Sequence, residues 1–208
     1  MSSRFWFLVY NLFVLPLLFG IIKLFAFSKA NIRESFEKRE GLWDRLADAV
    51  SERDWQKPLL WLHVASAGEF LQAQPVIARC VAEGAECVLT YSSINAYRWL
   101  ERPQQTKIPG LLATEFLPPD TIWNARRLLG LLLPSRLVWV SYDLWPNLVW
   151  EAYSQKIPQS LISGIVHADS RRTGNFIGRS FYHSLYICLE HILTVSESDR
   201  RRVLSAIP

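Results

Sequence analysis

From Pro58 onward, short apolar runs alternate with stretches in which apolar and polar residues mix at a helical period. Leu59 to Val64, Cys87 to Tyr91, Leu111 to Phe116, Arg136 to Tyr142, Ser160 to Val166 and Ile192 to Val195 read as six strands. They are apolar almost continuously, which marks strands buried on both faces. Glu69 to Ala82, Asn95 to Leu100, Asp120 to Leu132, Asn147 to Gln155, Phe176 to Leu189 and Glu197 to Leu204 read as the helices between and after them. This alternation predicts an α/β fold over residues 58–208: a parallel, Rossmann-like sheet with helices on both faces. Ligands of such sheets bind beyond the carboxyl ends of the strands, which directs attention to the loops after each strand.

The first 57 residues follow another pattern. Phe5 to Ile22 carries no charge, and at ~1.5 Å per residue it can cross most of a ~30 Å hydrocarbon core. Residues 1–28 are therefore expected to form a membrane-anchor helix, with Asn11, Pro16 and Gly20 as weak points and Trp6 and Tyr10 at headgroup level. A helix lying flat in the interface is the alternative. A cleaved signal peptide fits less well, because the run is long and no clean small-residue site follows it. Lys23, Lys29, Arg33, Lys38 and Arg39 follow the run and Arg4 alone precedes it, so the remainder is expected on the cytoplasmic side. Residues 29–57 read as an amphipathic connector, broken near Gly41, that lies near the membrane with Phe36, Leu42, Leu46 and Val50 as apolar anchors. A plain connector helix with a solvated face fits the same pattern.

Charge and cysteines narrow the field only a little. A net charge of +4 suits an anionic membrane surface or an acidic substrate. No basic block interleaved with aromatics suggests nucleic acid. Three cysteines without a C-x-x-C pair argue against a disulfide framework or a structural zinc site. The glycine signatures of dinucleotide and P-loop sites are absent, which with the anchor disfavours a soluble oxidoreductase.

Two loops carry the chemistry. In HVASAGEF (His63 to Phe70), Ser66 and Gly68 precede Glu69 where a strand gives way to a helix. Glu69 can take a proton from a hydroxyl nucleophile. The same four residues, Ser66 to Glu69, also spell a capping box, in which Glu69 folds back onto the helix start. In SYDLWPNLVWEA (Ser141 to Ala152), Asp143 follows a strand, Trp145-Pro146 is stiff, and Asn147 opens a helix. Asp143 is a second candidate carboxylate, or else an acceptor for the backbone N–H groups of that helix start.

Together with the anchor, the segment FLPPDTIWNARRLLGLLLPSRLVWV and the ending TVSESDRRRV, these two motifs resemble the Kdo transferases, whose first loop carries S-x-G-E and whose second carries T-E-L-W-P-N. The resemblance implies the N-terminal half of a two-domain GT-B glycosyltransferase. That half binds a lipid A precursor at the inner membrane, while the other half binds CMP-Kdo. It also implies inverting transfer without a metal or other cofactor, Glu69 as the general base, Asp143 as a second catalytic carboxylate, and Ser66, Gly68, Trp145 and Asn147 bordering the substrate. Three features depart from the pattern. Asp143 replaces a Glu. Ser163 to His167 lacks the family's Asn and Arg, for which Arg171 or Arg172 can substitute beside an acceptor phosphate. The donor-binding half is not among these 208 residues, so a separate C-terminal half is the expected partner. The alternative is a non-catalytic, membrane-bound lipid A-binding or scaffolding module derived from this fold.

Overall fold

The structure, a computed structural model, describes residues 3–102, 110–166 and 175–206. The six strands are β1 (Leu59–Val64), β2 (Glu86–Tyr91), β3 (Leu111–Phe116), β4 (Arg136–Val140), β5 (Gln159–Gly164) and β6 (His191–Thr194). They form one parallel sheet in the order β3-β2-β1-β4-β5-β6. Burial confirms why the strands lack alternation. Leu59 and Trp61 of β1 enter one core, while Leu60, Leu62 and Val64 enter a second on the opposite face. In β4, Leu137 and Trp139 divide from Val138 and Val140 in the same way.

Two strands end earlier than their apolar runs suggest. β4 stops at Val140 because Ser141 takes φ +63°, which turns the chain out of the sheet. β5 stops at Gly164 after Ser163 takes φ +51°, with a register shift against β6 between Leu161 and Gly164. Left-handed conformations are uncommon for serine, and here both lie at carboxyl ends of strands.

Nine helices are described: α1 (Ser3–Ser28), α2 (Ala30–Glu37), α3 (Leu42–Ser51), α4 (Ala67–Ala82), α5 (Ile94–Leu100), α6 (Ile122–Leu132), α7 (Pro146–Ser154), α8 (Phe176–Tyr186) and α9 (Glu197–Ala206). α4 and α5 cover the second core, and the remaining helices after α2 cover the first. The break expected near Gly41 is there, at φ +69° between α2 and α3. The membrane-surface role expected for α3 is not. Leu42, Leu46 and Val50 are buried in the first core, since three apolar residues at helical spacing find the sheet before they find lipid. Phe36 alone of the four anchors stays exposed.

α1 is long and apolar enough to cross a membrane. Asn11 and Pro16 do not break it. A single π-helical turn, Tyr10–Val14, precedes Pro16, which has no N–H to return to Leu12. Trp6 and Tyr10 do not reach toward headgroups, because their polar atoms find partners on the domain. Trp6 Nε1 donates to Ser180 Oγ at 2.9 Å, and Tyr10 donates its hydroxyl to Asp120 Oδ2 at 2.9 Å. Asn11 and Asn147 exchange amide hydrogen bonds at 2.8 and 3.0 Å. Both rings are buried, with Phe181 and Trp150 against them. The opposite side of α1 presents Leu12, Phe13, Leu17, Leu24 and Phe27 to the exterior, a continuous apolar surface of the kind that meets lipid.

The cysteines are free thiols, and burial pushes Cys87 and Cys188 up to about 12. They are inert packing residues.

Candidate functional site: two carboxylates at the switch point

β1 and β4 are neighbours, yet the chain continues from β1 to β2 on one side and from β4 to β5 on the other. Where the connections diverge, a crevice opens beyond the strand ends. The two motif loops, 65–69 and 141–147, border it.

In the first loop Ser66 is the N-cap of α4, and its Oγ accepts the Glu69 N–H at 3.3 Å. Glu69 folds back, and its Oε2 accepts the Ala65 N–H at 2.5 Å. The capping expected of Glu69 is therefore realised. Burial holds the Glu69 carboxyl above the usual carboxylate range, and the Asp143 charge adds to this against the pull of the Ala65 and Ser66 N–H groups. Gly68 is exposed. A Cβ there would meet only Ser66 Oγ, at 3.9 Å, so the backbone does not require glycine and the position leaves open space beside Glu69.

Asp143 sits in a different environment. Its Oδ2 accepts from Ser92 Oγ at 2.9 Å, Trp145 Nε1 at 3.1 Å and His63 Nε2 at 3.2 Å. Burial works to raise its pKa, but the hydrogen bonds from His63, Trp145 and Ser92 outweigh it, and the carboxyl lies below its ordinary value. Asp143 is thus held back toward the sheet by three donors.

His63 holds Asp143 from the strand side as a buried histidine with both ring nitrogens paired. Its ring is wholly buried on β1, edge-on to Trp139 and Trp145. Nδ1 lies 2.9 Å from Thr90 Oγ1, which also accepts from Trp61 Nε1 at 2.9 Å. Because an ionised carboxylate only accepts, Nε2 carries the hydrogen that Asp143 receives. Asp143→Ala strips the buried Nε2–H of its acceptor and is expected to cost about 1–3 kcal/mol. Thermal melts in detergent check this, and unchanged stability would refute the network.

The remaining expected residues divide. Trp145 borders the crevice, with its indole N–H on Asp143. Asn147 does not. It is fully buried, and its amide is occupied by Asn11 and by the Asp120 carbonyl at 2.6 Å. This placement differs from the expected contact with substrate. Arg171, Arg172 and His167 lie outside the described residues. Asp120 was expected within a helix, but α6 starts later, capped by Thr121. Asp120 instead caps α7 from outside, accepting from Asn147 N at 3.1 Å and Leu148 N at 3.2 Å, where Trp145 offers no capping side chain.

A cavity of about 510 Å³ adjoins the crevice, between α1, α2 and the loops after β2, β3 and β4. Asp143, Trp145 and Ser92 belong to its lining. So does Arg39, whose guanidinium lies over the Phe116 ring and donates to Leu117 O at 3.0 Å and Ser92 O at 3.1 Å. Burial brings Arg39 down to about 10, which leaves it a cation at neutral pH. Among the described residues no group of three or more His, Cys, Asp or Glu side chains is arranged to hold a metal ion.

Comparison with known proteins points to one family and one fold. A family model described as 3-deoxy-D-manno-octulosonic-acid transferase (kdotransferase) matches residues 34–207. A 3-deoxy-D-manno-octulosonic acid transferase of Bordetella pertussis is 28% identical over 173 residues, 80% of this chain and 40% of that protein. One of Aquifex aeolicus is 31% identical over 107 residues, 51% of this chain and 28% of that protein. The chain thus spans about 40% or less of the length of these relatives. Among solved structures, UDP-N-acetylglucosamine 2-epimerase from Rickettsia bellii superposes with a TM-score of 0.52 at 15% identity, covering 73% of this chain and 43% of that one. The corresponding epimerase from Neisseria meningitidis gives 0.51 at 15% identity, covering 73% and 44%. At that identity the likeness concerns the fold, a Rossmann-like sheet of the kind that makes up half of a GT-B protein. With the family match running through both motif loops, the chain belongs to the 3-deoxy-D-manno-octulosonic-acid transferase family.

Proposed function

We propose that this chain is the acceptor side of a Kdo transferase. It holds a lipid A precursor at the cytoplasmic face of the inner membrane, while CMP-Kdo is bound chiefly by residues outside these 208. The observation that carries this reading is the contrasting setting of two carboxyls at the switch point: Glu69 is buried at a helix start, which raises its pKa, and Asp143 is held by His63, Ser92 and Trp145, which lower its pKa. Environments that push two titratable groups apart assign them different tasks. Glu69, with its raised proton affinity, is the general base. It takes the proton of the acceptor hydroxyl, whose oxygen forms the new bond to the anomeric carbon as CMP leaves from the opposite face with the bonding pair. Asp143 stays ionised and faces the positive charge that builds on the sugar ring. Ser66 fixes the start of α4, open space at Gly68 lets the acceptor approach, and Trp145 borders it. The apolar outer face of α1 rests in the membrane.

The test is transfer from CMP-Kdo to a lipid A precursor by membranes that contain this chain together with a C-terminal donor-binding half. Product that depends on both components supports the reading; acceptor binding without any transfer favours a non-catalytic lipid A-binding module. That second reading draws on Asp143, whose carboxylate is already held by three donors. Gly68→Ala is a sharper probe. Its Cβ fits the fold, so melting should be unchanged, while a substrate displaced by an ångström loses about 10²-fold in rate. Full activity in Gly68→Ala would show that the open space is not used.

A further inference from the structure

The geometry points to the slot between α1 and α2 as the seat of one acyl chain of the glycolipid acceptor, placed so that the sugar headgroup lies over Asp143 and Glu69. This rests on the acceptor-side reading above and specifies where the lipid part goes.

Shape is the first argument. The α1 residues that line the slot run from Tyr10 through Leu15, Leu18 and Phe19 to Ile22, about 18 Å of helix at ~1.5 Å per residue. The facing wall is Ile32, Ser35, Phe36 and Arg39, spaced three and four apart and so on one side of their segment. Two facing stripes of this length enclose an elongated space, suited to a chain rather than a ring.

The second argument is the distribution of polarity. Arg39 donates to the Ser92 carbonyl, and the Ser92 hydroxyl donates to Asp143. Three polar lining residues are therefore one connected patch. Leu15, Leu18, Phe19, Ile22 and Ile32 supply an apolar wall. An apolar wall of this kind favours contact with an apolar chain over water. A molecule with a polar head and an apolar tail fits this arrangement in one orientation only, head toward Asp143.

The third argument is access. Leu18 and Ile22 are 41% and 37% exposed, so the slot is open along α1. The far side of the same helix is the apolar surface that faces lipid. A tail can move from the bilayer into the slot without crossing water.

The experiment uses the full chain in phospholipid nanodiscs and three photoreactive probes: an acceptor with a diazirine at the end of an acyl chain, an acceptor with a diazirine on its sugar, and a phospholipid with a diazirine at its chain end. Adducts are located by peptide mass spectrometry. The tail probe should label α1 and α2 around Leu18 to Ile22 and Ile32 to Phe36, the sugar probe the loops at 65–69 and 143–147, and the phospholipid probe the outer face at Leu12, Leu17 and Leu24. Ile32→Trp and Leu18→Trp, each checked for native circular dichroism, should reduce tail labelling in the slot about tenfold, as expected when bulk is forced into a filled site. Labelling by the sugar probe with no tail in the slot would overturn the slot and leave the acceptor reading standing. Equal labelling of the slot by phospholipid would assign it to bulk lipid and overturn the proposal. No labelling by either acceptor probe would bring down the acceptor reading and the slot with it.

Discussion

Glu69→Gln is expected to lower Kdo transfer by the assembled enzyme about 10²–10⁴-fold, the usual contribution of a general base, and to leave the fold intact. The amide oxygen of Gln can still accept the Ala65 N–H that Glu69 Oε2 accepts now. Stability should not fall either. The Glu69 pKa is raised in the folded chain, so its ionised form is disfavoured there relative to the unfolded chain, and a neutral isostere relieves that burden. The pH profile supplies a second readout. A base must be ionised to act, so the rate should rise with pH through a pKa above the ordinary glutamate value of ~4.3, and the residual rate of Glu69→Gln should lack that limb. Wild-type turnover in Glu69→Gln would remove the base assignment.

Asp120→Ala should produce the largest loss of stability. It leaves three donors without their acceptor: the Tyr10 hydroxyl and the N–H groups of Asn147 and Leu148. At ~1–3 kcal/mol per unsatisfied buried group with partial relaxation, a loss on the order of 3 kcal/mol is expected. For a chain of this size that is a fall in Tm of about 6–12 °C. The size of the loss depends on pH. Burial raises Asp120 to about 6 against the opposing hydrogen bonds, so the folded chain binds this proton more tightly than the unfolded chain does. The stability so contributed is complete below pH ~4 and is lost as pH rises through about 6. Asp120→Ala should therefore cost more at pH 5 than at pH 7. Combining it with Tyr10→Phe should show a coupling of about 1 kcal/mol, as for side chains in direct contact. Strict additivity would mean that the Tyr10–Asp120 bond does not tie α1 to the domain.

The sheet was legible because a parallel strand buried on both faces leaves an unbroken apolar run, as in Leu59 to Val64, and such runs recur between helical periods. Strand ends were less so. Tyr142 and Val166 look like continuations of apolar runs, but Ser141 and Ser163 adopt left-handed backbone that no local pattern announces. Of the site, the capping reading of Glu69 is legible in the S-x-x-E spacing and is seen in its bonds to Ala65 and Ser66, while its role as a base stays a proposal that rests on the motif. Asp143 was found as a loop carboxylate, but its pairing with His63 and Ser92 joins three different strand ends and has no signature along the chain. The same holds for Asp120 and Asn147. Each read as part of a local helix start, and each serves a contact with α1 more than 100 positions away. Arg39 read as one of several positive charges after the anchor; only its position over Phe116 and beside Ser92 distinguishes it.

The tie between α1 and the domain bears on how the protein is made. Tyr10 and Asn11 leave the ribosome long before their partners: Asp120 follows Tyr10 by 110 residues, and Asn147 follows Asn11 by 136. During that interval the Tyr10 phenol lacks its partner on the domain, and the Asn11 amide has only the Phe7 carbonyl of its own helix. Synthesis therefore completes the tie only after the loop between β4 and α7 has emerged, so closure of the Rossmann-like domain onto α1 is a late step of folding, behind the first four strands.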